Sequence, residues 1–564
     1  MIDDITRRSA QEPKIIRLRF TRDYLGRPSG QYNGLMVLPC NKGPKCPYCH
    51  SIFDVTRYID KKGPKRPTVM IFPKEVINLP NQKPFIIAHK TTPKTTTNGI
   101  TKVKKTSSVI EKVKSAIPGY SVKDKLTPVS VITLGGMPFQ GGSCTAYWNH
   151  ETDTILIIDY GRKVWYNTQD LDGYENKRRS EIGPSELPYE DFLVRYRDKV
   201  EAILITHLHL DHCGSLPYLP EEIKDIPVYM TSLADLTVKH MCAMGEVPAP
   251  EDIRIFKPGD RLSGLKGFKV SSFPLIHSTP ETVMFDIKIG NQRVLHFGDF
   301  NLAGENESQR KAQDNLFNEL ILKGPIDCLT FDAVGASRKG KRLYEEKVFA
   351  DFERIVNEAT GRIVIPIFAS NITRIQHLIE IAEKHGRRAT AWGNAMEVFW
   401  HNAKQLGYLK TSITTNDMSI KELLDSSKEI AFVTGGQAEP GAQLTKSAFS
   451  EERTQLRLRH DDTIVFCQDP IPGNEDRVRG LIERLKEDEY NVIENGQNGL
   501  VTHISGHCLQ GDLDEFLTHF KSHTRLFYPQ HMSRRNWEVV EERYSRKYNL
   551  LLPKFKQRTP LWEV

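Results

Sequence analysis

The stretch "ILITHLHLDHCGSLPYL", residues 203–219, decides the fold. It places three histidines and one aspartate within six positions: His207, His209, Asp211 and His212. The β-branched apolar residues before them are typical of a buried strand, so we expect the polar residues at its end and in the following turn. The first two histidines can share one metal ion, while the aspartate and the last histidine can reach a second. Imidazole and carboxylate ligands favour zinc, with manganese as the alternative.

Length and composition limit the class of protein. The 564 residues are too many for one ordinary core and predict two or three domains. No apolar run is long enough to span a membrane, and the first residues lack a secretion-signal pattern, so we expect a cytoplasmic protein without a membrane partner. The nine cysteines, an odd number in a long chain, do not indicate a disulfide framework.

The net charge of +7 hides a sharp asymmetry along the chain. Residues 1–125 hold 25 Lys and Arg against 9 Asp and Glu, a net charge of +16, whereas the remainder holds 53 against 62, a net charge of −9. The basic front suits a polyanion such as nucleic acid, because lysine and arginine neutralise phosphates and release counterions. A solvated basic extension is the alternative interpretation.

Apolar runs and turn residues indicate how the chain is organised. In the first part, "IIRLRF", "GLMVLPC" and "TVMIFP" predict short strands, and residues 90–105 are typical of an exposed linker. From Val129 three strand-like runs follow, and the third ends at Asp159, which places a carboxylate at a strand's C-terminal edge. After Ser337 helical and strand patterns alternate, which predicts a parallel α/β unit.

The H-x-H-x-D-H pattern is the signature of the metallo-β-lactamase fold, and other positions resemble that family in the expected order. Asp159 resembles the aspartate that orients the ligand turn without binding metal. His277 in "FPLIHSTPETVMFDI" resembles the family's next histidine ligand, and Asp299 in "RVLHFGDFN" resembles the carboxylate that bridges both metals. The resemblance implies an α/β fold, a metallo-β-lactamase αββα sandwich.

The later sequence resembles one branch of that superfamily, the β-CASP nucleases. Asp332 in "DCLTFDAVGAS" is similar to their motif A acidic residue. The segments "GRIVIPIFASNITRIQHLIEIAEKHGR", "TGGQAEPGAQLTKSA" and "FCQDPIPGNEDRV" are similar to ribonuclease J, while "HISGHCLQGDLDEFL" and "RLFYPQHMS" resemble its motifs B and C. The resemblance covers roughly residues 129–535 and implies an inserted β-CASP α/β domain.

The resemblance, together with the basic composition and linker of the first 126 residues, predicts the domain boundaries. The metallo-β-lactamase domain is expected in two parts that flank the insert, with a small basic domain and linker in front. The expected segments are residues 1–126 for the N-terminal domain, 127–337 and 500–564 for the metallo-β-lactamase domain, and 338–499 for the β-CASP domain.

By the same resemblance, seven side chains hold two zinc ions, and further residues handle the substrate. The expected metal ligands are His207, His209 and His277 for one ion, Asp211, His212 and His531 for the other, and Asp299 between them. His507 would protonate the leaving oxygen, and Asp211 would accept a proton from water. Substrate contacts are expected from Ser505, His507, Ser370 and Asn371, and supporting roles from Asp159 and Asp332.

The sequence departs from ribonuclease J in three places. Leu210 stands where the family carries glutamate, and "HMSRRNW" replaces its usual motif C continuation. Arg534 and Arg535 in that segment either contact phosphate or cap a helix. Only 33 residues follow His531, so we expect the family's C-terminal dimerisation domain to be absent and leave the oligomeric state open.

The N-terminal segment "LPCNKGPKCPYCHSIFD" offers four candidate zinc ligands: Cys40, Cys46, Cys49 and His50. The Cys-Pro-Tyr-Cys turn is shaped like a zinc knuckle, but a second C-x-x-C is missing. The sequence therefore leaves two alternatives open, an additional structural zinc ion or three unligated thiols.

The patterns together predict a two-zinc ribonuclease that hydrolyses phosphodiester bonds of single-stranded RNA, as an endonuclease, a 5′-exonuclease or both. Within the β-CASP group, a histidine at the position of His531 goes with RNA-acting members, whereas DNA-acting members carry valine there. A DNA nuclease of the same fold is one alternative. A catalytically silent RNA-binding subunit is another, although its expected mark is the loss of ligands.

Overall fold

The computed structural model describes most of the chain after residue 127. The described ranges are 128–136, 141–163, 187–188, 190–411, 428–449, 455–471, 473–553 and 558–561, together with the backbone of six strands near the N-terminus. The chain divides into two compact units, Met1–Val103 and Lys104–Val564.

The N-terminal unit contains two three-stranded antiparallel sheets, with strand orders β1-β5-β6 and β2-β3-β4. Their strands are β1 Lys14–Arg19, β2 Thr21–Arg22, β3 Pro28–Tyr32, β4 Leu35–Val37, β5 Ile52–Ile59 and β6 Val69–Ile71. The three apolar runs predicted as strands coincide with β1, β4 and β6. The candidate zinc ligands Cys40, Cys46, Cys49 and His50 lie outside the described residues.

The larger unit is built on two sheets packed face to face. The seven-stranded sheet, in the order β12-β11-β10-β9-β8-β7-β24, consists of β7 Val129–Gly135, β8 Cys144–Asn149, β9 Thr154–Ile158, β10 Val200–Leu204, β11 Val228–Met230, β12 Ile253–Ile255 and β24 Arg558–Pro560. The six-stranded sheet, in the order β13-β14-β15-β16-β17-β23, consists of β13 Arg261–Leu262, β14 Lys269–Pro274, β15 Val283–Ile289, β16 Gln292–His296, β17 Ile326–Asp332 and β23 Thr524–Gln530. Apolar side chains of both sheets, such as Leu156 and Phe285, form one buried core between them.

Helices cover the outer faces of both sheets. The helices of this domain are α1 Glu190–Arg195, α2 Leu210–Cys213, α3 Ser232–Met244, α4 Glu307–Leu322, α10 Gln510–Phe520 and α11 Arg534–Tyr544. Side chains of α1 and α3 pack with the outer residues of the seven-stranded sheet, and those of α4, α10 and α11 pack with the six-stranded sheet. The layers are therefore helix, sheet, sheet and helix, which confirms the predicted αββα sandwich.

The insert is a parallel α/β domain, as the alternation of patterns predicts. Its sheet, in the order β19-β20-β18-β21-β22, consists of β18 Ile363–Pro366, β19 Arg388–Trp392, β20 Glu429–Val433, β21 Thr463–Val465 and β22 Asn491–Ile493. Its helices are α5 Glu346–Glu358, α6 Ile372–Lys384, α7 Asn394–Gln405, α8 Gln443–Ala448 and α9 Glu475–Glu487. Strands β19 and β22 are not apparent from the apolar pattern alone. The consecutive residues Ile363 and Val364 of β18 point to opposite faces of the sheet, and each belongs to a separate hydrophobic core. Both faces of the sheet are therefore covered.

A buried ion pair joins two strands of this insert. Arg362, just before β18, donates from Nε and Nη2 to the two oxygens of Asp462, at 2.9 and 2.6 Å. Asp462 also accepts a hydrogen bond of 2.8 Å from the backbone of Arg459, and both partners of the pair are almost fully buried. Loss of the Asp462 charge removes both of these hydrogen-bonded carboxylate contacts and leaves the buried cation with only the more distant carboxylate of Glu429, 3.9 Å from Nη1.

We expect Asp462→Asn to lower the free energy of unfolding of the insert by about 3 kcal/mol. Urea denaturation followed by tryptophan fluorescence measures this, because Trp392 and Trp400 lie in the same domain. Glu307→Gln, which breaks an exposed pair with Lys311, is the control and should leave the urea midpoint unchanged. Equal midpoints for the two variants would contradict the role given to the buried pair.

Candidate metal centre

The candidate site lies at the carboxyl ends of parallel strands from both sheets. In the seven-stranded sheet, Asp159 directly follows β9, and His207 lies three residues after β10. In the six-stranded sheet, Asp299 follows β16, Asp332 ends β17, and His531 follows β23. Residues distant in sequence meet because parallel strands end at the same edge of a sheet.

One group of candidate ligands consists of His207, His209, His277 and Asp299, whose ligand atoms all lie within 4.8 Å of one another. The Nδ1 of His207 lies 3.0 Å from the hydroxyl of Thr206, and that of His277 lies 2.9 Å from the carbonyl of Gly506. With each Nδ1 hydrogen donated there, both Nε2 lone pairs face Nδ1 of His209, at 3.1 and 3.2 Å. Because Nδ1 can donate to only one of them, the three nitrogens fit a shared cation better than hydrogen bonds among themselves.

A second group consists of Asp211, His212, His531 and Asp299, again within 4.8 Å. The Nε2 atoms of His212 and His531 are buried and make no hydrogen bond. They lie 3.3 Å from Oδ1 of Asp299 and 3.1 Å from Oδ2 of Asp211, respectively. Buried nitrogens that face carboxylates without hydrogen-bond geometry are suited to metal coordination. Asp299 belongs to both groups.

Asp159 is hydrogen-bonded to the ring nitrogen of His212 that does not face Asp299. Its Oδ2 accepts a hydrogen bond of 2.7 Å from Nδ1 of His212, and its Oδ1 accepts one of 2.8 Å from the backbone of Thr206. The pairing fixes the orientation of the ring, so that Nε2 of His212 faces Asp299 and is the atom that would bind a metal ion. Asp159 adopts φ 63°, a left-handed conformation that costs about 1 kcal/mol or more and is concentrated at functional sites.

The ligand turn packs tightly against the residue before β8 and against the loop after β9. The backbone of Ser143 donates to the carbonyl of Asp211 at 2.7 Å, and that of Tyr160 donates to the carbonyl of His212 at 2.8 Å. A Cβ atom at Gly161 would lie 1.7 Å from the carbonyl oxygen of Asp211, so only glycine fits this approach. The turn is therefore rigidly placed before any metal binds.

Burial and charge set the protonation of the ligands. Burial lowers the pKa of His207 and His277 well below the usual range and that of His209 to about 4, which keeps these imidazoles neutral near pH 7. Burial opposes ionisation of Asp299, but the neighbouring His212 and other histidines lower its pKa well below the usual value. Against the effect of burial, the neighbouring carboxylates raise the pKa of His212 well above its usual value and that of His531 to about 10. The first group thus has the neutral imidazoles that bind a metal ion, and the second would release protons when a metal ion binds.

A histidine–aspartate pair lies beside both ligand groups. Nδ1 of His507 donates to Oδ2 of Asp332 at 2.7 Å, and the other oxygen of Asp332 accepts a hydrogen bond of 2.8 Å from Val334. The same Nδ1 lies 3.7 Å from Oδ2 of Asp299. The His507 side chain remains 21% exposed, and Asp332 fixes the orientation of its ring.

Sequence reasoning missed the partner of Ser505. The exposed Arg338 donates from Nη2 to the hydroxyl of Ser505 at 2.8 Å, and the backbone of His507 donates to the same hydroxyl at 3.3 Å. A guanidinium at this position can hold a phosphate oxygen next to the candidate proton donor. The basic run "RKGKR", residues 338–342, was the available sequence signal.

Three other residues singled out in the sequence, Ser370, Asn371 and Leu210, lie outside both ligand groups. Ser370 is half-buried and Asn371 is buried, directly before α6 of the insert. Leu210 lines an apolar cavity between α3 and α7 together with Met241 and Phe399.

Arg534 and Arg535, for which the sequence leaves phosphate contact and helix capping open, lie at the start of α11. Its cap is Ser533, whose side chain accepts a hydrogen bond from the backbone of Asn536. Arg534 pairs with Glu538 at 3.0 Å on the surface, and Arg535 is exposed.

Comparisons with known proteins agree with the fold. The family of ribonuclease J β-CASP domains matches residues 360–485, and the metallo-β-lactamase superfamily matches residues 185–358. Ribonuclease J 1 of Streptococcus pyogenes serotype M3 is 30% identical over 413 residues, which cover 72% of this chain and 69% of the relative. The chain belongs to the ribonuclease J family. This membership confirms the predicted family and makes the chain a metal-dependent ribonuclease.

Other members of the ribonuclease J family match the same part of the chain. The ribonuclease J of Thermus thermophilus is 28% identical over 408 residues, covering 72% of this chain and 68% of the relative. That of Mycolicibacterium smegmatis is 30% identical over 385 residues, covering 68% and 65%. The chain thus spans about two thirds of the length of these relatives.

A solved structure shows the same fold. The crystal structure of a protein of unknown function from Enterococcus faecalis V583 matches with a TM-score of 0.57 and 15% identity, over 77% of this chain and all of the other. In the described part of this ribonuclease J family member, no helix is long and apolar enough to cross a membrane.

We expect the purified protein to hold about two divalent ions per chain, the number that a pair of ligand groups sharing one carboxylate accommodates. His212→Ala should lower this to about one, because it removes a ligand from one group only. Elemental analysis by inductively coupled plasma mass spectrometry provides the measurement. His519→Ala, on α10 and outside both ligand groups, should keep the full content, and an unchanged content in His212→Ala would contradict the ligand assignment.

Proposed function

We propose that this protein hydrolyses phosphodiester bonds of single-stranded RNA with two zinc ions, or manganese in their place. The observation that carries the proposal is the sharing of Asp299 between two ligand groups, with the His507–Asp332 pair beside them. The chemistry that two bound zinc ions supply is Lewis acidity, which activates water and neutralises charge on the phosphate.

The chain's own residues would move the protons. Asp211 is 25% exposed at its side chain and can accept a proton from the attacking water. In its doubly protonated form, with the Nδ1 hydrogen donated to Asp332, His507 would give the proton on Nε2 to the departing oxygen and become neutral. Ser505 and Arg338 would hold the phosphate in place. The products would be a 5′-phosphate and a 3′-hydroxyl.

Several features support RNA as the substrate. The relatives that match over two thirds of their length are named ribonuclease J, and His531 is present at the motif C position. Every expected ligand is present, which argues against a silent binding subunit. The basic residues 1–125 supply the positive charge that a polyanion requires.

The proposal extends to substrate contacts from the insert, to the domain boundaries and to the N-terminal cysteines. Ser370 and Asn371 would contact the strand from the insert, and the segments 1–126, 127–337, 338–499 and 500–564 would be the domains. Cys40, Cys46, Cys49 and His50 are candidates for an additional structural zinc ion. The six described cysteines are buried free thiols, which suits the reducing cytoplasm.

The test compares one RNA oligonucleotide with its DNA equivalent. We expect cleavage of the RNA only, lost on chelation, and a fall of at least about 1000-fold in Asp211→Ala, since that variant removes both a ligand and a proton acceptor. RNA binding, measured by fluorescence anisotropy, should be retained. Asp191→Ala, an exposed carboxylate on α1, is the control. Equal cleavage of DNA would favour the DNA nuclease, and loss of binding in Asp211→Ala would contradict the assigned role.

Labels at either end of the same RNA distinguish the mode of action. Release of single nucleotides that requires a 5′-monophosphate would identify a 5′-exonuclease. Internal cuts on substrates with either a 5′-monophosphate or a 5′-hydroxyl would identify an endonuclease.

A further inference from the structure

A buried network of two arginines and one glutamate lies between the insert and the candidate site. Arg374 of α6 donates from Nε and Nη2 to the two oxygens of Glu345, at 2.9 and 2.7 Å. Arg342 donates from Nη2 to the same carboxylate at 2.6 Å. The side chains of the two arginines are 3% exposed and that of the glutamate is 10% exposed. The carboxylate is thus shared by two buried guanidinium groups.

The two arginines also bind backbone carbonyls of the segment that carries the candidate proton donor. Arg374 donates to the carbonyl of Ile504 at 2.9 Å, and Arg342 donates to that of Ser505. Arg342 further donates to the carbonyl of Gly304, in the loop after Asp299, at 3.1 Å. One network therefore contacts both the return segment from the insert and the loop that follows the shared carboxylate.

The segment 504–507 has little freedom to adjust. The carbonyl of Gly506 accepts hydrogen bonds from Nδ1 of His277 at 2.9 Å and from Asn301 at 3.3 Å. A Cβ atom at Gly506 would lie 3.0 Å from the ring of His277. A shift of this segment would therefore move His507 together with the carbonyl of Gly506, which is hydrogen-bonded to the candidate metal ligand His277.

Charge makes the network sensitive to its single carboxylate. Two guanidinium groups and one carboxylate leave one net positive charge, and against the effect of burial Arg374 and Arg342 lower the pKa of Glu345 to about 2. Removing the negative charge would leave the two buried cations without the carboxylate that they share. The arginines, and with them the carbonyls of residues 504 and 505, would then move apart.

We infer that Glu345, through Arg342 and Arg374, positions the segment 504–507 and so couples the placement of the insert to proton donation by His507. The inference rests on the proposed function, in which His507 protonates the leaving oxygen. Glu345 is a positioning residue, because it acts through other side chains and does not touch the candidate metal groups.

The test variant is Glu345→Gln, which keeps the shape of the side chain and removes its charge. Asp462→Asn is the matched control, because it makes the same chemical change at a buried arginine pair whose described contacts lie within the insert. Each variant is assayed on RNA and on bis(p-nitrophenyl) phosphate, whose good leaving group needs little proton donation. Metal content is measured in parallel.

We expect Glu345→Gln to lower kcat on RNA about 100-fold, the size of effect produced by displacing a reacting group by about 1 Å. The rate on bis(p-nitrophenyl) phosphate should fall by less than about tenfold with both metals retained, matching the pattern of His507→Ala. Glu345→Asp should recover part of the RNA rate. Equal losses on both substrates, or losses in Asp462→Asn as large as those in Glu345→Gln, would overturn the inference.

Amide hydrogen exchange provides a readout that needs no activity. Exchange across residues 503–508 should rise in Glu345→Gln and stay at the wild-type level in Asp462→Asn, and unchanged exchange in both would overturn the inference. A wild-type protein that cleaves no nucleic acid would contradict the proposed function, and the exchange result would still decide the positioning role. If Glu345→Gln does not fold, Arg374→Lys tests the same contacts with the charge retained.

Discussion

The site depends on one buried carboxylate, Asp299, whose two oxygens face different ligand groups. Oδ1 lies 3.3 Å from Nε2 of His212, and Oδ2 lies 3.8 Å from Nε2 of His207. An ionised carboxylate that is 2% exposed requires compensating positive charge, from protonated histidines or from metal ions. Because His207, His209, Asp211 and His212 come from the other sheet, the constellation exists only when the two sheets pack on their common core. Folding of the sandwich and assembly of the site are therefore one event.

Placement of the insert is tied to the same centre. Apolar residues of the seven-stranded sheet and of the insert, such as Ile203 and Ile363, belong to one continuous core. Tyr408 of the insert donates to Glu281 at 2.8 Å, and Glu281 also accepts a hydrogen bond from Leu233 at the start of α3. Glu281 lies four residues after His277, so the insert contacts the loop that carries a candidate ligand. The insert therefore helps to hold the loop that carries the candidate ligand His277.

Two of the eight left-handed non-glycine residues in the described part of the chain belong to the centre. Asp159 and His531 both adopt left-handed conformations, with φ of 63° and 52°, and both directly follow a strand. These conformations turn the chain sharply, so that a side chain projects over the end of its sheet. The cost of each is met by buried hydrogen bonds, from His212 to Asp159 and from His531 to Asp299.

The sequence by itself determined the family, the sandwich and the set of side chains that converge on the centre. This was possible because the ligands occur in short motifs at strand ends, where local spacing reports chemistry. Strands β19 and β22, the role of Arg338 and the network around Glu345 required the tertiary structure. Arg342 binds the carbonyl of Ser505, 163 positions away, and a hydrogen bond to a backbone carbonyl leaves no mark on the residue type that accepts it. Packing of the insert on the sandwich decides such contacts. A sequence pattern does not show which residues, far apart in the chain, this packing brings together.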